Sequence, residues 1–201
     1  MMYSTLVRTT VLAWLAILAW PMPLRADEEY RIHTFERKQL SDQHFCEGAT
    51  CADLDRDGSV DVIAGPYLYH GPDFSRVDTL YPPVAFGRNE YSDHFFTFAH
   101  DIDQDDWLDV VIIGFPGKEA WWLRNPGRGQ EPWQRHLAYS AVDNESPTFT
   151  DLTGDGQPEL VCHTGGRFGY AEYDAKDVTR PWTFRPVSPD VGYPQFTHGL
   201  G

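Results

Sequence analysis

Asp101-Ile-Asp-Gln-Asp-Asp-Trp-Leu-Asp109 is the middle one of three similar acidic nonapeptides in this chain. The earlier copy is Asp53-Leu-Asp-Arg-Asp-Gly-Ser-Val-Asp61, and the later copy is Asp151-Leu-Thr-Gly-Asp-Gly-Gln-Pro-Glu159. Their first residues, at positions 53, 101 and 151, lie 48 and 50 residues apart. A nearly constant period of this size predicts a repeat architecture in which each period is one supersecondary unit.

The nonapeptides, here called loops 1, 2 and 3, carry oxygen donors at alternate positions, an arrangement that suits a hard divalent cation such as calcium. Gly58 and Asp106, at position 6, both tolerate the positive φ that a sharp turn needs. Position 7 can add its backbone carbonyl. We therefore predict three Ca²⁺ sites with these ligands: Asp53, Asp55, Asp57, Ser59 and Asp61; Asp101, Asp103, Asp105, Trp107 and Asp109; and Asp151, Thr153, Asp155, Gln157 and Glu159.

Loop 3 is expected to bind calcium most weakly, because Thr153 replaces the second carboxylate. An EF-hand does not fit any of the loops, since it needs a bidentate glutamate at position 12 and a helix on each side. Position 12 here is Ala64, Ile112 or Cys162. A solvated acidic turn without an ion is the remaining alternative. The threefold recurrence favours the metal.

Each loop is followed by a short apolar segment that is typical of a buried strand. Further strands are predicted around it, so that each period holds four. Four short strands in a repeat of about 40–50 residues are the signature of a β-propeller blade. We predict an all-β chain of about three to four such blades, each of four antiparallel strands. In the middle period the predicted strands are His94–His100, Leu108–Phe115, Glu119–Arg124 and Trp133–Ala138.

The loops, together with apolar strands that end in Gly and Pro, resemble the FG-GAP/VCBS repeats of secreted bacterial proteins and integrin α-subunits. Ile63-Ala-Gly-Pro66 and Ile113-Gly-Phe-Pro116 carry the strand part of this pattern. The resemblance implies a calcium-loop propeller. Such propellers usually close with about seven blades, so we expect an incomplete propeller over residues 27–201.

Residues 1–26 have the pattern of a secretory signal peptide, with Arg8 before the apolar run Val11–Trp20. That run is too short to span a bilayer. Cleavage is expected after Ala26, and an uncleaved N-terminal anchor is the alternative. The mature chain would then be secreted, periplasmic or on the cell surface, with no membrane span.

The net charge narrows the classes of partner, and the cysteine content bears on possible disulfides. The net charge of −14 disfavours nucleic acid and anionic membranes. Cys46, Cys51 and Cys162 are an odd set, which we expect to be free and buried. A disulfide across strands is the alternative.

Two functions follow. The first is a secreted calcium-binding interaction module for an extracellular protein or carbohydrate, with no catalytic residue assigned. The second is the propeller of a metal-dependent sugar lyase, because Glu119–Gly127 and His198–Gly201 resemble aldos-2-ulose dehydratases. His44, His94 and His198 would then line a channel around a catalytic metal, whereas their alternative is ordinary hydrogen bonding. Four tryptophans could stack sugars, although packing between sheets is the favoured interpretation: Trp121, Trp122, Trp133 and Trp182.

Overall fold

The computed structural model describes residues 34–129 and 131–192. The predicted signal peptide and His198 lie outside the described residues. The chain divides into two units, Met1–Arg37 and Lys38–Gly201. Of the first unit, only residues 34–37 are described, and they are exposed and without regular secondary structure. Across the described residues, no helix is long and apolar enough to cross a membrane.

The described part of the second unit contains three antiparallel sheets of four strands, in which neighbouring strands follow each other along the chain. The predicted all-β fold with blades of four antiparallel strands is therefore confirmed. Sheet 1 contains β1 (Ala49–Ala52), β2 (Asp61–Ala64), β3 (Tyr67–Tyr69) and β4 (Val77–Thr79). Sheet 2 contains β5 (Phe96–His100), β6 (Asp109–Ile113), β7 (Lys118–Arg124) and β8 (Gln134–Val142). Sheet 3 contains β9 (Thr148–Thr150), β10 (Glu159–Thr164), β11 (Arg167–Glu172) and β12 (Thr183–Pro186).

Sheet 2 lies between the other two, so both of its faces are buried. Successive residues of a strand point to opposite faces. Val111 and Ile113 share a core cluster with Leu160 of sheet 3. Val110 instead belongs to the cluster that contains Ile63 of sheet 1. This arrangement explains why the four residues after Asp109 in β6 are all apolar and why every residue of the strand is buried.

The tryptophans pack between sheets. Trp122 is fully buried and shares the cluster between sheets 2 and 3 with Trp182. Trp121 faces the opposite way and is 7% exposed. The Arg135 guanidinium covers its ring, with its central carbon 3.8 Å from the ring centroid. These positions support packing rather than sugar stacking for the three side chains.

Two predictions need correction. Strand β8 continues to Val142 rather than ending at Ala138, because a β-bulge opposite Lys118 and Ala120 lets the pairing with β7 extend. All three cysteines are free, as predicted, but only Cys162 is buried. Cys46 is half-buried, and Cys51, on the edge strand β1, is exposed.

His94 is a buried residue of the connection between β4 and β5. Its Nδ1 lies 2.7 Å from the Tyr81 hydroxyl and its Nε2 lies 2.5 Å from Thr97 Oγ1. Burial lowers the pKa of His94 to about 4. These contacts match the hydrogen-bonded alternative. The other described candidate, His44, lies 3.4 Å from a carboxylate oxygen of Glu47.

His94 should make the folded state sensitive to acid. The neutral imidazole contributes stability above its unfolded pKa of about 6.5, and this contribution is lost as the pH falls towards 4. Between pH 7 and pH 4, the free energy of unfolding should fall in both proteins. We expect this fall to be smaller in His94→Gln than in the wild type, by up to about 3 kcal/mol. Urea denaturation in a chelator measures the difference. Parallel pH profiles for the two proteins would contradict this role.

Candidate metal centres

Each acidic loop joins the first and second strands of its sheet, as predicted. All three loops adopt the same backbone turn. Position 6 has a positive φ in each: 89° at Gly58, 71° at Asp106 and 90° at Gly156. Position 4 also has a positive φ, which sequence reasoning missed. The angles there are 55° at Arg56, 60° at Gln104 and 80° at Gly154. Of the three residues at position 4, only Gly154 is of a type that could have indicated this positive φ from the sequence.

The carboxylate at position 1 closes the turn from inside. Asp53 accepts hydrogen bonds from the backbone N–H groups of Asp57 and Gly58, each at 3.1 Å. Asp101 accepts the corresponding bonds from Asp105 and Asp106. In loop 3, Asp151 accepts bonds from positions 5 and 6 and a further one from position 4. The side chain therefore holds the loop in a tight curl before any ion is considered.

The carboxylate at position 9 anchors the loop to the sheet. Asp109 is fully buried and accepts the N–H groups of Ile102 at 2.9 Å and Asn125 at 2.8 Å. Asp61 is bound in the same way by Leu54 and Gly71. Burial raises the pKa of Asp109 to about 7. Both oxygens of these two side chains thus have a structural role.

Glu159 is the longer counterpart at position 9 of loop 3. It accepts the backbone N–H of Leu152 at 2.8 Å and the hydroxyl of Thr153 at 2.8 Å. Thr153, predicted as a ligand, is therefore turned towards this carboxylate.

The carboxylate at position 3 has an oxygen without a protein partner. Oδ1 of Asp55 and Oδ1 of Asp103 are both buried, and neither has a hydrogen-bond partner among the described residues. Burial raises the pKa of Asp103, and the neighbouring Asp105 adds to the effect. An unpaired buried oxygen is costly. A bound cation would remove that cost, so the residues present fit a metal ion.

Most predicted acidic ligands do come together. In each of three groups, one ligand atom per residue lies within 4.8 Å of the others: Asp53, Asp55 and Asp57; Asp101, Asp103 and Asp109; and Asp151, Asp155 and Glu159. Oxygen-only sets of this kind suit a hard cation. At position 7, the N–H groups of Ser59, Trp107 and Gln157 donate to the carboxylate at position 5, at 2.7, 3.0 and 2.8 Å. Metal ligation by the position 7 carbonyls stays a prediction.

Residues 101–162 match the FG-GAP-like repeat family. The matched segment begins at loop 2, continues through β6, β7, β8 and β9 and through loop 3, and ends in β10. No curated protein and no solved structure shows a significant match to the chain. The predicted FG-GAP/VCBS resemblance is confirmed, whereas the resemblance to aldos-2-ulose dehydratases gains no support.

Within the matched segment, a basic side chain that sequence reasoning missed lies against loop 2. Arg124 ends β7, and its Nε lies 2.5 Å from Asp103 Oδ2. One of its terminal nitrogens lies 3.4 Å from Asp105. The register places Glu172 at the same point of sheet 3, where it instead pairs with Arg185 at 2.8 Å. Loop 2 thus has a counter-ion from its own sheet. The number of carboxylates in the loop does not by itself reveal this cation.

Replacement of Arg124 should strengthen cation binding at loop 2. The guanidinium occupies the same carboxylates that would hold the ion, and its removal leaves their charge uncompensated. We expect Arg124→Gln to raise calcium affinity by about threefold to tenfold. Calorimetric titration checks this, with Arg135→Gln as a control because Arg135 lies over Trp121 and away from the loop. Lower affinity in Arg124→Gln would contradict the counter-ion role.

Proposed function

We propose that this chain is an exported calcium-binding interaction module of the FG-GAP/VCBS β-propeller type, which binds an extracellular protein or carbohydrate. One observation carries the proposal. Three loops at a nearly constant spacing share one backbone turn, and two of them present a buried carboxylate oxygen that has no hydrogen-bond partner among the described residues. A solvated acidic turn without an ion would not be expected to bury an unpaired oxygen at the same loop position in two different sheets.

Calcium would be held by the carboxylates at positions 1, 3, 5 and 9 of loops 1 and 2, and by Asp151, Asp155 and Glu159 in loop 3. The ion would supply positive charge where the loops concentrate negative charge. The protein contributes the curled backbone and the buried anchor at position 9. Together they would stiffen the turn between the first two strands of each sheet, and a stiff blade presents a defined surface to a partner.

Export, which the predicted signal peptide would provide, would suit this function, because extracellular calcium is abundant enough for modules of modest affinity. The sugar-lyase alternative required histidines that converge on a metal. Instead, His94 is hydrogen-bonded to Tyr81 and Thr97. Binding of a partner, without chemistry on it, is therefore the function that we propose.

Calcium should stabilise the chain against heat. Each site occupied at 100 times its dissociation constant adds about 2.7 kcal/mol to the free energy of unfolding. Calorimetric melting with calcium or a chelator measures the effect, and magnesium serves as the ion control. Asp103→Asn should lose the part of the shift that belongs to loop 2 while keeping the Asp109 anchor. An unchanged melting temperature in calcium would contradict the proposal.

A further inference from the structure

Loop 1 differs from the other two loops because it takes part in two clusters of possible metal ligands. The first cluster is Asp53, Asp55 and Asp57, and it contains oxygen donors only. The second is Asp55, Asp61 and His70, and it includes an imidazole nitrogen. Loops 2 and 3 take part in one such cluster each among the described residues, and both of those are purely acidic. Only in loop 1, therefore, does the described structure offer a mixed nitrogen and oxygen set.

His70 follows β3 directly and is 4% exposed. Its Nδ1 lies 2.9 Å from Asp55 Oδ2 and 3.7 Å from Asp61 Oδ1. Its Nε2 lies 2.8 Å from Asp78 Oδ2. The imidazole is thus buried, with one nitrogen facing the two loop carboxylates and the other fixed by a third carboxylate.

The contact with Asp78 bears on the tautomer. A carboxylate that accepts the N–H of one ring nitrogen leaves the other nitrogen as the metal donor, and this is the usual support of a metal-binding histidine. A lone pair on Nδ1 would then face a carboxylate oxygen at 2.9 Å. Two electron-rich atoms at that distance need a proton or a metal ion between them. Asp55 also keeps its buried Oδ1 without a partner among the described residues.

We propose that Asp55, Asp61 and His70 form a second cation site, which takes a divalent transition metal such as zinc. Imidazole nitrogen suits zinc and its neighbours in the first transition row, whereas calcium and magnesium select oxygen. Zinc binds histidine nitrogen and aspartate oxygen at about 2.0–2.2 Å, which fits donors as close as these. The site can fill without calcium at loop 1. Because Asp55 and Asp61 are also among the carboxylates proposed to hold calcium there, the occupancies of the two sites are coupled.

The competing account is an ion pair in which a protonated His70 lies between the carboxylates. Arg76 lies 3.3 Å from Asp55 Oδ2 and 3.1 Å from Asp78 Oδ2, so it already compensates part of their charge. Its side chain is 63% exposed and is free to turn away from Asp55. Loop 2 shows what a pure counter-ion arrangement looks like, since Arg124 is a cation that cannot ligate a metal. His70 differs from Arg124 because an imidazole nitrogen can ligate a metal ion.

Zinc titration of the full chain by calorimetry tests the proposal. We expect His70→Gln to weaken the tightest zinc site by at least tenfold, and Asp78→Asn to weaken it less, because Asp78 orients the ring. His44→Gln is the matched control, since this histidine also lies near a carboxylate but belongs to no ligand cluster among the described residues. Equal zinc affinity in folded His70→Gln and wild-type protein would overturn the proposal.

A spectroscopic measurement covers the case in which His70→Gln does not fold. Cobalt added to the wild-type chain should give visible absorption bands of a nitrogen-ligated site, and zinc should displace them. Bands of a purely oxygen-ligated ion, or no bands, would overturn the site. A parallel calcium titration separates this result from the proposed function, because loss of calcium binding alone leaves the cobalt and zinc signals intact.

Discussion

The hydrogen bonds accepted by a buried carboxylate at the start of the second strand anchor each acidic loop, and in sheets 1 and 2 they also hold the third strand. In sheets 1 and 2 this aspartate accepts one N–H from its own loop and one from the residues after the third strand. It therefore fixes the loop and the third strand to one point. Leaving either N–H unpaired in the interior would cost about 1–3 kcal/mol. The positions of the remaining loop carboxylates follow from this anchor.

The same anchor would couple the packing of the sheets to the proposed ion binding. Asp109 is followed at once by the buried run of β6, whose two faces contact sheets 1 and 3. Any change in the curl of loop 2 is thus transmitted to the strand that both cores share. In such an arrangement, a cation bound in the loop would act on the stability of the neighbouring sheets as well as on its own turn.

Much of this fold could be predicted from the nonapeptides, because position within the motif determines both the turn and the strand that follows. Asp53, Asp101 and Asp151 were predicted at loop positions, and the structure places each inside an equivalent curl. The partners His70 and Arg124 could not be predicted in the same way. Each comes from the end of a third strand, and only the pairing register brings it back to its loop. The extension of β8 was missed for a similar reason, since it depends on a bulge opposite β7.

We propose above that the three loops are cation sites of related geometry. Crystals of the full chain grown in calcium allow a direct test through the anomalous signal of the bound ion. We expect anomalous density peaks among the carboxylates of loops 1 and 2, and a weaker peak beside Asp151, Asp155 and Glu159. Ordered loops with no anomalous peak at any of the three positions would contradict it.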